Sequence, residues 1–250
     1  MNVKKLLGIK DIRDVSSVMC IQPHPDDNEI GAGATLALLA ARGVNIIFVT
    51  VTDGRYGNND PSITPEQMIA IRRAEKNEAG ELLGVQKHYD LGYEDGGEYS
   101  EREVARSLVP LIRKEKPEMV MTVDPWTLYE AHPDHYKVGR ATSEALLAAG
   151  RVGSPEAGEP HHVRQVAYYA SGFPNAFIEV TAYWEIKMQA ILKHKSQFDN
   201  EEWPLLSQYF TYQAGEYFKQ LGLEKQRGLA EAFKVLSPRQ LHVFPTAWQC

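Results

Sequence analysis

Cysteine is scarce, with two residues in a chain of 250. Cys20 lies inside an apolar run and Cys250 ends the chain. That pattern predicts a buried structural thiol and an exposed end in a reducing cytoplasm, not a disulfide framework. Long hydrophobic runs are also missing. No stretch approaches the ~20 apolar residues that span a bilayer. No 7–15-residue apolar stretch follows Lys4 and Lys5, so neither a membrane anchor nor a secretory signal is expected. Basic charge is in deficit, with 27 Lys and Arg against 33 Asp and Glu and a net charge of −6. This balance disfavours a nucleic-acid surface and docking on anionic lipid.

What remains is an ordinary globular mixture, 43% apolar and 24% charged. Such a length suits one large core. One domain is expected over residues 1–250, with a core at about 15–150 and a smaller C-terminal α+β extension at about 164–250.

Val15 to Gln22 is a short apolar run that predicts a buried strand. Ile30 to Ala41 has helical composition and stops at Gly43, a good residue to end a helix. Asn45 to Thr52 is β-branched and aromatic and makes the strongest strand signal. In Thr64-Pro65-Glu66-Gln67 the threonine can cap, the proline fits the first helical position and the glutamine stands three on. That helix should reach Leu83. Residues 87–92 predict a weak strand, and Ser100 to Glu103 opens a helix that must stop before Pro117. Met119 to Val123 is a strand and Pro133 starts a helix to Ala149. After a Gly/Pro-rich connection at 150–162, strands are expected at Arg164–Ser171, Ile178–Val180 and Ala230–Leu236. Helices are expected at Ala182–Gln197 and Trp203–Leu221. The alternation over 15–150 implies an open, mostly parallel, Rossmann-like α/β sheet with helices on both faces. In such sheets, sites form beyond the carboxyl ends of the strands.

Two clusters directly follow predicted strands. Pro23-His24-Pro25-Asp26-Asp27-Asn28-Glu29 follows the first, and Ala131-His132-Pro133-Asp134-His135 follows Met119–Val123 by a short loop. Together they supply imidazoles and carboxylates, with acid/base groups to spare, as a hydrolytic metal site requires. Asp26 and Asp27 point in different directions, so one can bind metal while the other faces substrate. Two carboxylates facing one cavity repel unless a cation sits between them. The plainer alternative is a pair of helix-capping acids before Ile30. His132 and His135 are three apart at a helix start and share a face. Asp134 either caps that helix or holds a metal ligand from behind. Partly exposed histidines at a helix N-terminus are the alternative there. Among the other histidines, His161 and His162 read as solvated, His88 as an ordinary strand residue, and His194 as a cation at a helix end.

The motifs Pro-His-Pro-Asp-Asp at 23–27 and Ala-His-Pro-Asp-His at 131–135 resemble the LmbE-like (PIG-L) family of zinc-dependent N-acetylglucosamine deacetylases. Further matching segments are Thr52-Asp53-Gly54, Ile71-Arg72-Arg73 with Glu75, Tyr93-Glu94-Asp95 and Ala230-Glu231-Ala232-Phe233. Asp124-Pro125-Trp126, Tyr129-Glu130, His194-Lys195-Ser196-Gln197-Phe198 and His242 resemble the diacetylchitobiose deacetylases within it. The resemblance implies one zinc ion per chain held by His24, Asp27 and His135. It implies Asp26 as the general base and His132 as the group that polarises the acetyl carbonyl. Arg72 and Asp95 match positions that contact sugar hydroxyls, although Arg72 and Glu75 could simply pair along a helix. His242 would approach an active site, its own or that of a neighbouring subunit. The implied activity is hydrolysis of an N-acetyl group on an N-acetylglucosamine-containing sugar, in a homo-oligomer such as a hexamer. Many family members carry Glu directly after the two aspartates, where this chain has Asn28. Two rivals stand beside this reading: a hydrolase acting on another amino-sugar conjugate, such as a thiol or antibiotic precursor, and a non-catalytic sugar-binding module with a structural metal.

Overall fold

A computed structural model describes residues 3–58, 60–153, 158–223, 227–244 and 246–249. Cys250 lies outside them. A short helix, α1 (Val3–Leu6), precedes β1 (Ser17–Gln22), and four parallel strands follow it in sequence: β2 (Asn45–Thr52), β3 (Lys87–Tyr93), β4 (Met119–Val123) and β5 (Gln165–Tyr169). The crossovers are α2 (Asp27–Ala41), α3 (Pro65–Leu82), α4 (Glu101–Glu115) and α5 (Pro133–Ala149). Then come β6 (Ala176–Glu179), α6 (Trp184–Lys193), α7 (Lys195–Phe198), α8 (Trp203–Lys219) and β7 (Ala230–Leu236).

Among the described residues the sheet has seven strands in the order β3-β2-β1-β4-β5-β7-β6, and β7 runs antiparallel to both β5 and β6. The C-terminal strands therefore extend the same sheet. Alternation in β1 sends Val18 and Cys20 into one core, with α2, and Met19 and Ile21 into another, with α4 and α5. Both sheet faces are covered, which is why these strands read as apolar runs. Strand order reverses between β1 and β4, so a crevice opens at their carboxyl ends. Both histidine-bearing segments leave the sheet there.

Local chemistry sets the helix starts. Thr64 accepts from the Gln67 N–H while Gln67 Oε1 accepts from the Thr64 N–H, and Ser100 and Glu103 do the same for α4. Two expectations need correction. α2 begins at Asp27, three residues before Ile30. The helix expected over Ala182–Gln197 breaks at His194, whose φ of −78° and ψ of 63° leave the helical region. The His194 ring is fully buried, with Nε2 3.3 Å from Oε1 of the equally buried Glu29. His194 does end α6, as the sequence predicts, and against the opposing effect of burial Glu29 raises its pKa, but its ring lies in the core facing a carboxylate.

Candidate metal centre and active site

β1 ends at Gln22 and the chain turns sharply through Pro23-His24-Pro25 before α2. A buried polar network fixes this turn. The Gln22 amide donates to Thr50 Oγ1 at 3.0 Å, and Gln22 Oε1 accepts the Asn28 N–H at 2.9 Å. The Tyr169 hydroxyl donates to Asn28 Oδ1 at 3.3 Å. Asn28 is fully buried and consumed by this network, so the residue following the two aspartates is a structural strut.

The turn separates Asp26 from Asp27. Asp26 occupies the position before α2 without making a side-chain cap, so the capping alternative does not hold for it. Its Oδ2 accepts from Arg72 Nη2 at 2.9 Å. Asp27 Oδ2 accepts the His24 N–H at 2.7 Å and lies 3.3 Å from His24 Nδ1, while Asp27 Oδ1 lies 3.4 Å from His135 Nε2. His24, Asp27 and His135 thus bring three donor atoms within 4.8 Å of one another.

His24, Asp95, His132 and Asp134 also meet within 4.8 Å, but Asp134 is already committed. Its Oδ1 accepts from the Tyr99 hydroxyl at 2.6 Å, and its Oδ2 accepts the Gly96 N–H at 2.8 Å. Asp134 Oδ2 also faces His24 Nε2 at 3.3 Å, alongside Asp95 Oδ1 at 3.2 Å. Asp134 therefore backs His24, across the site, instead of a neighbouring histidine. It does not cap α5. His132 fills that role by accepting the Asp134 N–H at Nδ1, 3.3 Å away.

The rings of His132 and His135 stack 5.1 Å apart, and His132 meets His24 edge-on at 4.5 Å. Burial, with like charge on His24 and His135, lowers the His132 pKa. With Nδ1 accepting, a neutral His132 carries its proton on Nε2. For His135, burial favours the neutral ring, but Asp27 outweighs it and raises the pKa to about 9. His24 behaves alike: burial opposes, while Asp134, Asp27 and Asp95 together raise its pKa. Burial would push the Asp27 pKa up, yet His135 and His24 hold it well below the usual carboxylate range.

Arg72 is buried, and its remaining contact is to the Gly54 carbonyl at 3.4 Å. The Glu75 carboxylate, the expected helical partner, is instead taken by the Ser196 N–H at 2.8 Å and hydroxyl at 2.6 Å. Asp95, besides facing His24, accepts the Tyr56 N–H at 3.3 Å. Arg72 and Asp95 thus each touch a residue of the centre, Asp26 and His24 respectively, and both contact the loop at 53–57. His242 is exposed, follows the turn at Pro238–Leu241, and belongs to neither cluster. His161 is not merely solvated, since its Nε2 lies 2.8 Å from the Pro117 carbonyl. Sequence reasoning missed Tyr99 altogether. It also gave no role to Glu130, whose Oε2 holds His135 Nδ1 at 3.0 Å, although adjacency to the second cluster was a usable signal.

The chain is similar to several known proteins. A family described as GlcNAc-PI de-N-acetylase matches residues 19–146. The diacetylchitobiose deacetylase of Thermococcus kodakarensis is 34% identical over 94% of this chain and 88% of its own length. A probable N-acetyl-alpha-D-glucosaminyl L-malate deacetylase 2 of Bacillus anthracis is 30% identical over 77% of this chain and 86% of its own length. The N,N'-diacetylchitobiose deacetylase of Pyrococcus horikoshii, solved with its inhibitor, superposes with a TM-score of 0.87 at 32% identity, covering 97% of this chain and 92% of that one. With both motif clusters at the switch point of the sheet and a family match across them, the chain belongs to the PIG-L, or GlcNAc-PI de-N-acetylase, family.

Proposed function

We propose that this chain is a zinc-dependent hydrolase that removes acetate from an N-acetylglucosamine unit of a small saccharide such as diacetylchitobiose. The observation that carries this reading is the convergence of His24, Asp27 and His135, with Asp26 next in sequence to Asp27 and the His132 ring stacked on His135, neither of them in that three-residue set. Two imidazoles and one carboxylate suit a divalent ion and leave a coordination place open. A divalent ion held there supplies Lewis acidity to water and to the acetyl carbonyl. The ring protons that Asp27 now favours on His24 and His135 would leave as the ion binds.

The chain's own residues account for proton movement. Asp26, held by Arg72, takes a proton from the attacking water as oxygen bonds to the amide carbon. His132 donates from Nε2 to the oxyanion that forms. As the C–N bond breaks, Asp26 returns the proton to the amine, and the acetic acid released loses its remaining proton to solvent, leaving acetate and free amine. Asp95 and Arg72 flank the sugar.

The relatives' names keep the acetylated glucosamine and vary what is attached to it. The shared acetamido unit therefore sets the reaction, and the attached group sets the preference. Exposed Leu205, Tyr209 and Tyr212 on α8 support a homo-oligomer, with a hexamer as the state the resemblance suggests. The acidic balance and scarce cysteine support a cytoplasmic small-molecule enzyme.

The test pairs Asp26→Asn with His135→Ala, read by bound-zinc analysis and acetate release from diacetylchitobiose. The first variant should keep zinc and lose turnover by roughly 10²–10⁴-fold; the second should lose zinc. Full activity in Asp26→Asn, or stoichiometric zinc in His135→Ala, contradicts the assignment.

A further inference from the structure

The break between α6 and α7 touches each of the three segments around the Asp26–Arg72 pair. His194 leaves the helical region there, and its carbonyl takes the Gln197 and Phe198 N–H groups at 2.9 and 3.0 Å, which closes a tight elbow. Phe198 is buried behind the elbow, edge-on to the Trp203 ring at 5.8 Å. From this anchored turn three side chains reach outwards.

The His194 ring faces Glu29, three residues after Asp26 in the first turn of α2. The Ser196 N–H and hydroxyl occupy both oxygens of Glu75, three residues after Arg72 and so on the same side of α3. Gln197 Nε2 donates to the Gly57 carbonyl at 2.5 Å and to Ser196 Oγ at 2.9 Å. A Cβ at Gly57 would meet Arg72 Nη1 and Gln197 Oε1 at once, so this glycine, the Gln197 amide and the Arg72 guanidinium are packed together. Arg72 then spends Nη2 on Asp26 at 2.9 Å.

Stability is a weak reason to keep the innermost of these contacts. His194 and Glu29 are both fully buried, and replacing a buried pair of this kind by apolar residues is often neutral or stabilising. What the pair supplies is direction, because neither group can slide away without leaving the other buried and unpaired.

We infer that residues 194–197 are a positioning clamp for the proposed general base: they fix α2, α3 and the Gly57 loop against one another and so hold Arg72 where it orients Asp26. The inference rests on the deacetylase reading above. His194, Ser196 and Gln197 make no hydrogen bond or ion pair with His24, Asp27 or His135 among the described residues. They are positioning residues that act through Arg72, not through the ion.

The experiment measures kcat and KM for acetate release from N,N'-diacetylchitobiose by the intact zinc-loaded protein, by Ser196→Ala and Gln197→Ala, and by each of these combined with Arg72→Lys. The lysine keeps a cation near Asp26 and removes the guanidinium fork that packs on Gly57. Bound zinc and thermal unfolding are followed in parallel. Each single variant should lower kcat about tenfold with KM nearly unchanged, and zinc should stay stoichiometric. In the Arg72→Lys background the same changes should lower kcat less than about twofold, because the route they act through is already cut. Ser196→Thr, which keeps the hydroxyl, should recover most of the Ser196→Ala loss. If truncation at 197 unfolds the chain, Gln197→Met repeats the test with the length kept and the donor removed. An equal fall in both backgrounds, unchanged kcat in the folded single variants, or loss of zinc overturns the clamp. No acetate from the wild type instead overturns the deacetylase reading itself.

Discussion

The Tyr99 hydroxyl donates to Asp134 at 2.6 Å, and the other oxygen of that carboxylate faces His24 Nε2 at 3.3 Å. A phenol from the segment before α4 thus steadies an aspartate on α5 that steadies a ring after β1. Three parts of the chain, 35 and 110 residues apart across the two links, become one support for a proposed ligand. Groups behind a metal-binding histidine fix its tautomer and orientation, and their loss typically costs 10–100-fold in affinity. Tyr99→Phe removes one link and leaves the ring in place. Zinc affinity, measured by competition with a chelator, should weaken by about tenfold, with Asp134→Ala weaker still. Unchanged affinity in Tyr99→Phe would mean that Gly96 alone holds Asp134.

His132 occupies the ambiguous place between ligand and catalyst, because it lies close to His24 and His135 and also within the second donor group. Its Nδ1 is spent on the Asp134 N–H, which leaves only Nε2 for work. As an oxyanion donor, its loss in His132→Ala should lower kcat by roughly 10²–10³-fold with zinc retained. Zinc loss in this variant would place His132 among the ligands.

Much of this site was legible in the sequence, for a physical reason. A cluster placed directly after a strand of an alternating β/α pattern must emerge at the carboxyl edge, so His24 and His135 could be expected to converge there. What was not legible depends on contacts between distant segments. The spacing of Arg72 and Glu75 suggested a helical pair, but Asp26 and Ser196 captured them separately. Composition around His194 reads as helix, yet the backbone leaves the helical region there, where the ring lies buried beside Glu29. β7 reads as a last strand, and nothing local says that it inserts antiparallel between β5 and β6. Asp134 lies between two histidines, so no spacing rule points it at His24.

Gly57 illustrates how a loop outside the donor set can govern the base. A Cβ at Gly57 would stand 2.4 Å from Arg72 Nη1 and 2.9 Å from Gln197 Oε1. Both are ends of flexible side chains, so Gly57→Ala should cost little stability, within about 1 kcal/mol. Arg72 must move, however, and it is the group that orients Asp26. A small displacement of a catalytic group is expensive in rate. We expect kcat to fall about tenfold at nearly constant Tm. A variant with normal kcat would show that Asp26 does not need Arg72 in its present place.

Away from the site, Glu118 gives the fold a predictable response to acid. It precedes β4 and gathers the N-terminal segment and the start of β5. Lys10 Nζ lies 2.6 Å away and Arg164 Nε 3.1 Å, and the Ser16 N–H and hydroxyl both donate at 2.9 Å. Burial opposes ionisation, but hydrogen bonds from Lys10 and Ser16 outweigh it and lower the pKa from 4.5 to about 2. A carboxylate depressed in the folded state stabilises fully above its unfolded pKa. That contribution is lost as pH falls from about 4.5 towards 2. Lys10 and Arg164 are partly exposed, so screening reduces the effect to about 1–2 kcal/mol. Glu118→Gln should therefore destabilise at pH 7 by that amount, and the gap from wild type should narrow steadily below pH 4.5 in urea unfolding. A gap independent of pH would assign the loss to hydrogen bonding and not to charge.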